Sequence, residues 1–212
     1  MKPWIRKSGI FFACVVACAA ITGITPFFPE VAVERGIPVW TIGFIFAACP
    51  FASLVTSFRL SALFQILSRS KVLLIGITLI GISNFIISLV VFSSEYLAVI
   101  ESVLSRLLAG VGTAFSMMSA YATVTSDYAE DAGKMMAMIE ISCGLGLILG
   151  PAISSTFYGF TGYFYSCIIV GSINILSVPI LWYILGPSRP YVADYQERFK
   201  VRWIAFKPVI DI

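Results

Sequence analysis

Three ionisable residues lie inside otherwise apolar stretches of the sequence and are its first candidates for chemistry: Glu101, Arg106 and Glu140. A charge inside a bilayer costs about 2.5–3.5 kcal/mol on insertion scales, so such residues usually face a cavity or a partner. Because desolvation favours the protonated form of a carboxyl group, Glu140 could exchange a proton or, when ionised, hold an organic cation. The alternative is a glutamate that only hydrogen-bonds another helix for packing.

Arg106 and Glu101 belong to the same predicted helix. Gly110 and Gly112 follow Arg106 and permit a second backbone to approach closely. Arg106 therefore either lines an internal cavity or is tied to the carbonyl groups of a neighbouring helix. Glu101 lies about 140° around the helix from Arg106, so the two are not helical neighbours. We expect Glu101, near the outer end of its span, to extend its carboxylate toward the interface.

The absence of histidine and the placement of the cysteines limit the available chemistry. Without histidine, serine–histidine and cysteine–histidine nucleophile pairs and imidazole metal sites are excluded. All five cysteines lie in apolar stretches without a CxxC motif, and we interpret them as small buried hydrophobic residues. The sequence predicts no enzyme, no metal site and no cofactor.

The composition is that of an integral membrane protein. Of 212 residues, 59% are hydrophobic and only 12% are charged, whereas soluble domains carry about 25% charged residues. A soluble globule could not cover its surface with so few charges, and a disordered chain would not be so apolar.

Long uncharged segments place six spans. They are residues 8–28, 36–57, 72–94 and 107–126, and a stretch from 141 to 188 that the turn at 159–162 divides in two. The segments are apolar on all sides, which excludes the alternating pattern of barrel strands. We predict an all-α membrane protein with a six-helix bundle over residues 1–190 and an amphipathic cytoplasmic tail over 191–212.

Basic residues are distributed unevenly between the two sides of this six-span arrangement. Twelve of the fourteen lysines and arginines fall on one side, Arg35 falls on the other, and Arg106 lies within a span. By the positive-inside rule both termini are predicted in the cytoplasm, with residues 29–38 and 93–96 forming loops on the opposite side.

Small residues recur at every fourth position of the fifth span, at Ser142, Gly146, Gly150 and Ser154. Such a ladder allows two helices to touch backbone to backbone, so packing is its favoured interpretation. Pro151 is expected to bend the same helix. Glu140 is about 200° from Ser142 and is predicted to point away from this contact.

Two motifs resemble the N-terminal half of a major facilitator superfamily transporter. The family's fourth-helix pattern, RxxxGxGxA, is matched by Arg106, Gly110, Gly112 and Ala114, and its fifth-helix GxxxGP motif, associated with antiporters, by Gly146, Gly150 and Pro151. The vesicular amine transporter branch, particularly its polyamine-transporter-like members, is similar at residues 26–30, 35–36, 139–140 and 144–146. The loop between the second and third helices departs from the family and keeps only Arg69 and Lys71, which leaves its latch function open.

The resemblance implies half of a major facilitator fold and proton-coupled antiport of amines or polyamines by alternating access. Glu140 would alternate between proton and cation, Arg106 would bias that exchange electrostatically, and Glu30 is a further coupling candidate. Weaker cavity candidates are Glu101, Asn174, Thr22 and Thr25. Expected partners are membrane lipids, a small organic cation, protons, and a second six-helix half or a second copy, in a vesicular, vacuolar or plasma membrane; no nucleic acid is expected.

Three alternatives remain at this stage. The chain stops where a second half would begin, so it could be a truncated or regulatory half that transports nothing and pairs with another subunit. A channel subunit is disfavoured because the sequence has no filter motif and no regularly spaced arginines. A membrane enzyme is disfavoured because no nucleophile–base pair is visible.

Overall fold

The computed structural model describes residues 3–186, so the predicted tail over 191–212 lies outside the described residues. Six α-helices follow one another without a strand in this part of the chain. Five of them are long and apolar enough to cross a membrane, which confirms the predicted all-α membrane fold. The helices are α1 (Pro3–Thr22), α2 (Phe28–Glu34), α3 (Val39–Ile66), α4 (Arg69–Ser88), α5 (Glu95–Asp127) and α6 (Ala132–Leu185).

The sixth helix is a hairpin of two arms. Gly162 has φ 77° and ψ 179°, a backbone conformation that favours glycine and breaks the helix. The Ser166 hydroxyl donates a hydrogen bond to the Ser154 carbonyl over 3.2 Å, although these residues would lie about 18 Å apart in a straight helix. The chain therefore turns back at Gly162 between an arm over 132–161 (α6a) and an arm over 163–185 (α6b). Each arm is long enough to span a bilayer, so the five long helices provide six segments of spanning length.

Two predicted loops are largely helical, and these predictions were wrong. Residues 29–38 include most of α2, which has Pro29 in its first turn, where the missing N–H of proline costs nothing. The fully buried Phe28 ring anchors this short helix in the core. Residues 58–71 were expected to connect two spans, but α3 continues to Ile66 and α4 begins at Arg69.

Small residues set the distances between the helices. The most extensive helix–helix packing joins α1 to α6, α3 to α5, and α4 to both α5 and α6. A Cβ atom added at Gly110 would collide with the Cys49 carbonyl of α3, and one added at Gly112 would lie 2.7 Å from the Gly76 carbonyl of α4. Close backbone contact of this kind brings dispersion attraction between helices in lipid, where burial of apolar surface gives little advantage.

Two apolar clusters fill opposite ends of the bundle. One lies at the end that carries α2 and contains Phe28, Ile45 and Tyr163. The other contains Ile77 and Ile139 and lies toward the connection between α5 and α6, which we call the Asp127 end. The first cluster surrounds Arg106, and the second packs beneath the helix segment that carries Glu140.

Candidate functional site

Glu140 and Tyr121 form a hydrogen-bonded pair between α6a and α5. The Tyr121 hydroxyl donates to Oε1 of Glu140. The side chain of Glu140 is exposed at the surface of the bundle and that of Tyr121 is half-buried. No basic side chain forms an ion pair with Glu140 within residues 3–186. The carboxylate is thus oriented by one neutral donor and keeps its remaining acceptor positions for a proton or a cation.

Local helix geometry explains why Glu140 faces outward. Successive residues of an α-helix are separated by about 100°. Ile139 is fully buried in the cluster at the Asp127 end, alongside Met135 one turn earlier. The apolar anchor at 139 therefore directs the next side chain out of the core and toward Tyr121. The sequence analysis did not single out Tyr121, because only the packing of α5 on α6a brings it to Glu140.

Arg106 lies in a different environment and is almost completely buried, at 4% exposure. Its guanidinium carbon is 4.9 Å from the centre of the Phe46 ring and 5.9 Å from that of Phe28, distances at which a cation is attracted to the ring face. Its Nε and Nη2 atoms have no hydrogen-bond acceptor among the described residues. The Tyr163 hydroxyl, in the same cluster, is also buried and has no hydrogen-bond partner among residues 3–186.

The structure does not bring Arg106 and Glu140 together. Tyr121, the partner of Glu140, is fifteen residues after Arg106 on the same helix, which corresponds to about 22 Å along its axis. Arg106 and Glu140 therefore make no direct contact through which the arginine could act on the carboxylate. The influence of this arginine on proton exchange stays a prediction.

Glu30 and Glu101 lie at the α2 end, away from Glu140. The Tyr158 hydroxyl donates to Oε2 of Glu30 over 3.4 Å, and the Tyr158 ring stacks on Phe27 with centroids 4.4 Å apart. Glu101 accepts a 2.6 Å hydrogen bond from the Ser93 hydroxyl, close to the end of its helix. The three acidic candidates thus occupy separate positions rather than one site.

The weaker candidates hold mainly internal contacts. The Thr22 hydroxyl donates to the Cys18 carbonyl within α1, and the Thr25 hydroxyl, in the turn after α1, donates to the Ile21 carbonyl. Asn174 is fully buried, and its amide atoms have no partner among residues 3–186. It borders an apolar cleft of about 240 Å³ between α1 and the two arms of α6.

The GxxxGP segment packs on α1. A Cβ atom at Gly146 would lie 2.6 Å from the Val15 carbonyl, and one at Gly150 would lie 2.5 Å from the Ala19 carbonyl. Pro151 follows this contact within α6a, and the helix continues past the proline without interruption.

Charged residues form a network at the Asp127 end. Asp127 pairs with Arg6 over 3.0 Å and with Arg69 over 3.5 Å, and the buried Arg69 also donates to the Ala122 carbonyl over 2.9 Å. The retained Arg69 of the connection between α3 and α4 thus ties α4 to the end of α5. Burial raises the pKa of the adjacent Tyr128 phenol; Arg6 opposes this shift and Asp127 adds to it.

Comparison with known proteins adds family relationships to this geometry. The sequence profile of the Major Facilitator Superfamily matches residues 10–210. The chain is 26% identical over 206 residues to the human MFS-type transporter SLC18B1, covering 86% of the chain and 41% of that protein. It is 23% identical over 150 residues to the human synaptic vesicular amine transporter, covering 70% of the chain and 28% of that protein. The chain thus spans about two fifths or less of the length of these relatives.

Proposed function

Because the chain belongs to the Major Facilitator Superfamily, we propose that it forms the N-terminal six-helix half of a transporter that exchanges organic cations for protons. The observation that carries this proposal is the exposed Glu140 carboxylate, oriented by Tyr121 and unpaired with any basic residue in the described chain. An exposed, unneutralised carboxylate within an apolar span is a functional-site feature, because its cost in lipid is otherwise uncompensated.

Competition for one carboxylate couples the two substrates. When Glu140 is protonated, it offers no charge to a cation; when it loses the proton, its negative charge attracts an ammonium group. The Tyr121 hydroxyl donates a hydrogen bond to this carboxylate and holds it in position. Proton binding on one side of the membrane then releases the amine, and loss of that proton on the other side allows the next amine to bind.

A second six-helix half supplies the opposite wall of the site in this proposal. Alternating access needs two bundles that rock against each other around a site near the bilayer midplane. The surface around Glu140 remains open in the six-segment bundle, with Ile141, Leu145 and Ile148 exposed on the same helix. A second half, or a second copy of this chain, would cover part of that surface.

Amines are the proposed substrate class on two grounds. The relatives include a protein named as a vesicular amine transporter, and the charge of Glu140 is complementary to an ammonium group. The proposed location is a vesicular, vacuolar or plasma membrane with both termini in the cytoplasm. The uneven distribution of basic residues supports this orientation.

Uptake into proteoliposomes tests the proposal. Three preparations are compared. They are the chain alone, the C-terminal six-helix half of human SLC18B1 alone, and the two together. The probe is labelled spermidine, driven by an acidic vesicle interior. We expect uptake when both halves are present and loss of uptake when nigericin collapses the pH gradient. Uptake unaffected by nigericin would disprove proton coupling. If the chain transports nothing but changes the rate of a full-length transporter, it is a regulatory half instead.

A further inference from the structure

Three cysteines from two helices meet beside the Glu140 segment. Cys14 and Cys18 lie one turn apart on α1, and Cys143 of α6a packs against the apolar cluster that contains Cys14. The Cys143 thiol in turn donates to the Met117 thioether of α5 over 3.7 Å. Cys143 is half-buried and all three thiols are free. Each cysteine alone fits the interpretation as a small buried hydrophobic residue. Packing alone does not require that three thiols and a thioether lie together.

The packing of α1 on α6a brings the two backbones close together near the cysteines. Gly146 contacts Val15 and Cys18, and Gly150 contacts Ala19 and Thr22, so the two helices run side by side in the same direction. One turn before Gly146, this alignment sets Cys143 level with Cys14. A disulfide needs Cα atoms about 4.4–6.8 Å apart, and the close packing of α1 on α6a at Gly146 and Gly150 favours so short a separation.

We propose that Cys14 and Cys143 are a redox modification site that forms a disulfide when a peroxide reaches the membrane. Cys143 is the first thiol to react, because it is the more exposed of the two. Its sulfur attacks one peroxide oxygen, the O–O bond breaks, and one water leaves as Cys143 becomes a sulfenic acid. The Cys14 sulfur then attacks the Cys143 sulfur, and the hydroxyl group leaves with the Cys14 proton as a second water. Both sulfurs are oxidised and the peroxide is reduced.

The alignment selects Cys14 over Cys18. Cys18 lies one turn further along α1, where its Cβ atom faces Gly146, whereas Cys14 is level with Cys143. The remaining two cysteines belong to the other part of the bundle: the Cys49 backbone contacts Gly110, and Cys167 is buried with Tyr163. They serve as internal controls, since neither has a second thiol described near it.

The bond would fix the segment that carries Glu140. Cys143 is less than one turn after Glu140, and it contacts Met117, which precedes Tyr121 by about one turn on α5. An effect on amine exchange rests on the proposed function, whereas formation of the bond does not. The test below therefore measures the bond itself.

The experiment treats the purified full chain in liposomes with hydrogen peroxide, blocks free thiols with N-ethylmaleimide under denaturing conditions, and maps disulfides by mass spectrometry after digestion. We expect two of the five thiols to be lost, a linked Cys14–Cys143 peptide, and recovery of both thiols with dithiothreitol. Cys18→Ala should still form this peptide, whereas Cys14→Ala and Cys143→Ala should not. Because the wild-type chain itself is mapped, the result does not depend on whether a variant folds.

Three outcomes would overturn the proposal. The first is a Cys143 that remains free at peroxide concentrations that oxidise an exposed thiol introduced by Asp131→Cys. The second is a linked Cys18–Cys143 peptide in place of the expected one. The third is oxidation of Cys143 to a sulfinic acid that dithiothreitol does not reverse.

Discussion

The Tyr121 hydroxyl on α5 donates a hydrogen bond to the Glu140 carboxylate on α6a, and this contact joins the two helices at an exposed position. A hydrogen bond to a charged group contributes about 1.5–3 kcal/mol. It is enough to orient the carboxylate but not to neutralise it. The pair therefore separates two roles, with Tyr121 as the positioning residue and Glu140 as the group that meets the ligand.

Replacing Tyr121 with phenylalanine should weaken amine binding without abolishing transport. The ring and its packing are retained, while the ionised carboxylate loses its donor and competes less well for the cation. We expect the KM for labelled spermidine to rise about tenfold, the equivalent of about 1.4 kcal/mol, in the two-half proteoliposome assay.

Tyr165→Phe is the control for that change, because Tyr165 is an exposed tyrosine on α6b, away from Glu140. It should leave the KM unchanged. An unaltered KM in Tyr121→Phe would remove Tyr121 from the site and reduce its hydrogen bond to a packing contact.

The sequence predicted the spans because each is a long apolar segment, and it located the hairpin because glycines cluster at 159–162. It missed α2, since Glu30, Glu34 and Arg35 made a short amphipathic helix look like a loop. It could not predict the contact of Tyr121 with Glu140. Helix periodicity gives the direction of each side chain around its own helix, but not how one helix is rotated relative to its neighbour. The same limit concealed Asp127 as the partner of Arg69.

Alanine at Gly150 should destabilise the bundle. The new Cβ atom would lie 2.5 Å from the Ala19 carbonyl, and a backbone group cannot move aside as a flexible side chain can. We expect a loss of about 1–3 kcal/mol, typical of overpacking, measured as a lower midpoint of thermal unfolding in detergent.

Gly144→Ala is the matched control on the same helix, because nothing lies within 4 Å of a Cβ atom at Gly144. Alanine should there raise stability by up to about 1 kcal/mol, since it is the better helix former. Equal effects at the two positions would mean that Gly150 does not contact α1 as described.

Asp127→Asn should destabilise the end of the bundle that carries this residue. Arg69 is 3% exposed and would keep its bond to Ala122 while losing its counter-charge. Hydrogen bonds to charged groups contribute about 1.5–3 kcal/mol, so we expect a loss of that order. Asp131→Asn, at an exposed position, should change the unfolding midpoint by less than the error of measurement. A similar small effect at both sites would show that the Asp127 network is only a surface feature.

Single cysteines can test the orientation of the chain in a cysteine-free background. Glu34 and Asp131 are both exposed and lie at opposite ends of the bundle. We expect a membrane-impermeant maleimide to label Glu34→Cys from the non-cytoplasmic side and Asp131→Cys from the cytoplasmic side in sealed cells. Labelling of both from one side would contradict the six-segment arrangement. Labelling with the sides exchanged would place the termini outside.

Glu140→Gln should abolish amine uptake driven by a pH gradient while leaving folding intact. Glutamine keeps the size of the side chain and still accepts a hydrogen bond from Tyr121, but it can neither ionise nor take up a proton. Because the Glu140 side chain is exposed, forms no ion pair within residues 3–186 and is replaced by another acceptor for Tyr121, the unfolding midpoint should fall only slightly. We expect uptake of labelled spermidine to fall at least a hundredfold in the two-half assembly. Glu101→Gln is the matched control, since Glu101 accepts from Ser93 at the other end of the bundle and should retain most of the uptake. Normal, pH-dependent transport by Glu140→Gln would exclude this carboxylate from coupling and direct the search to Glu101 and Glu30.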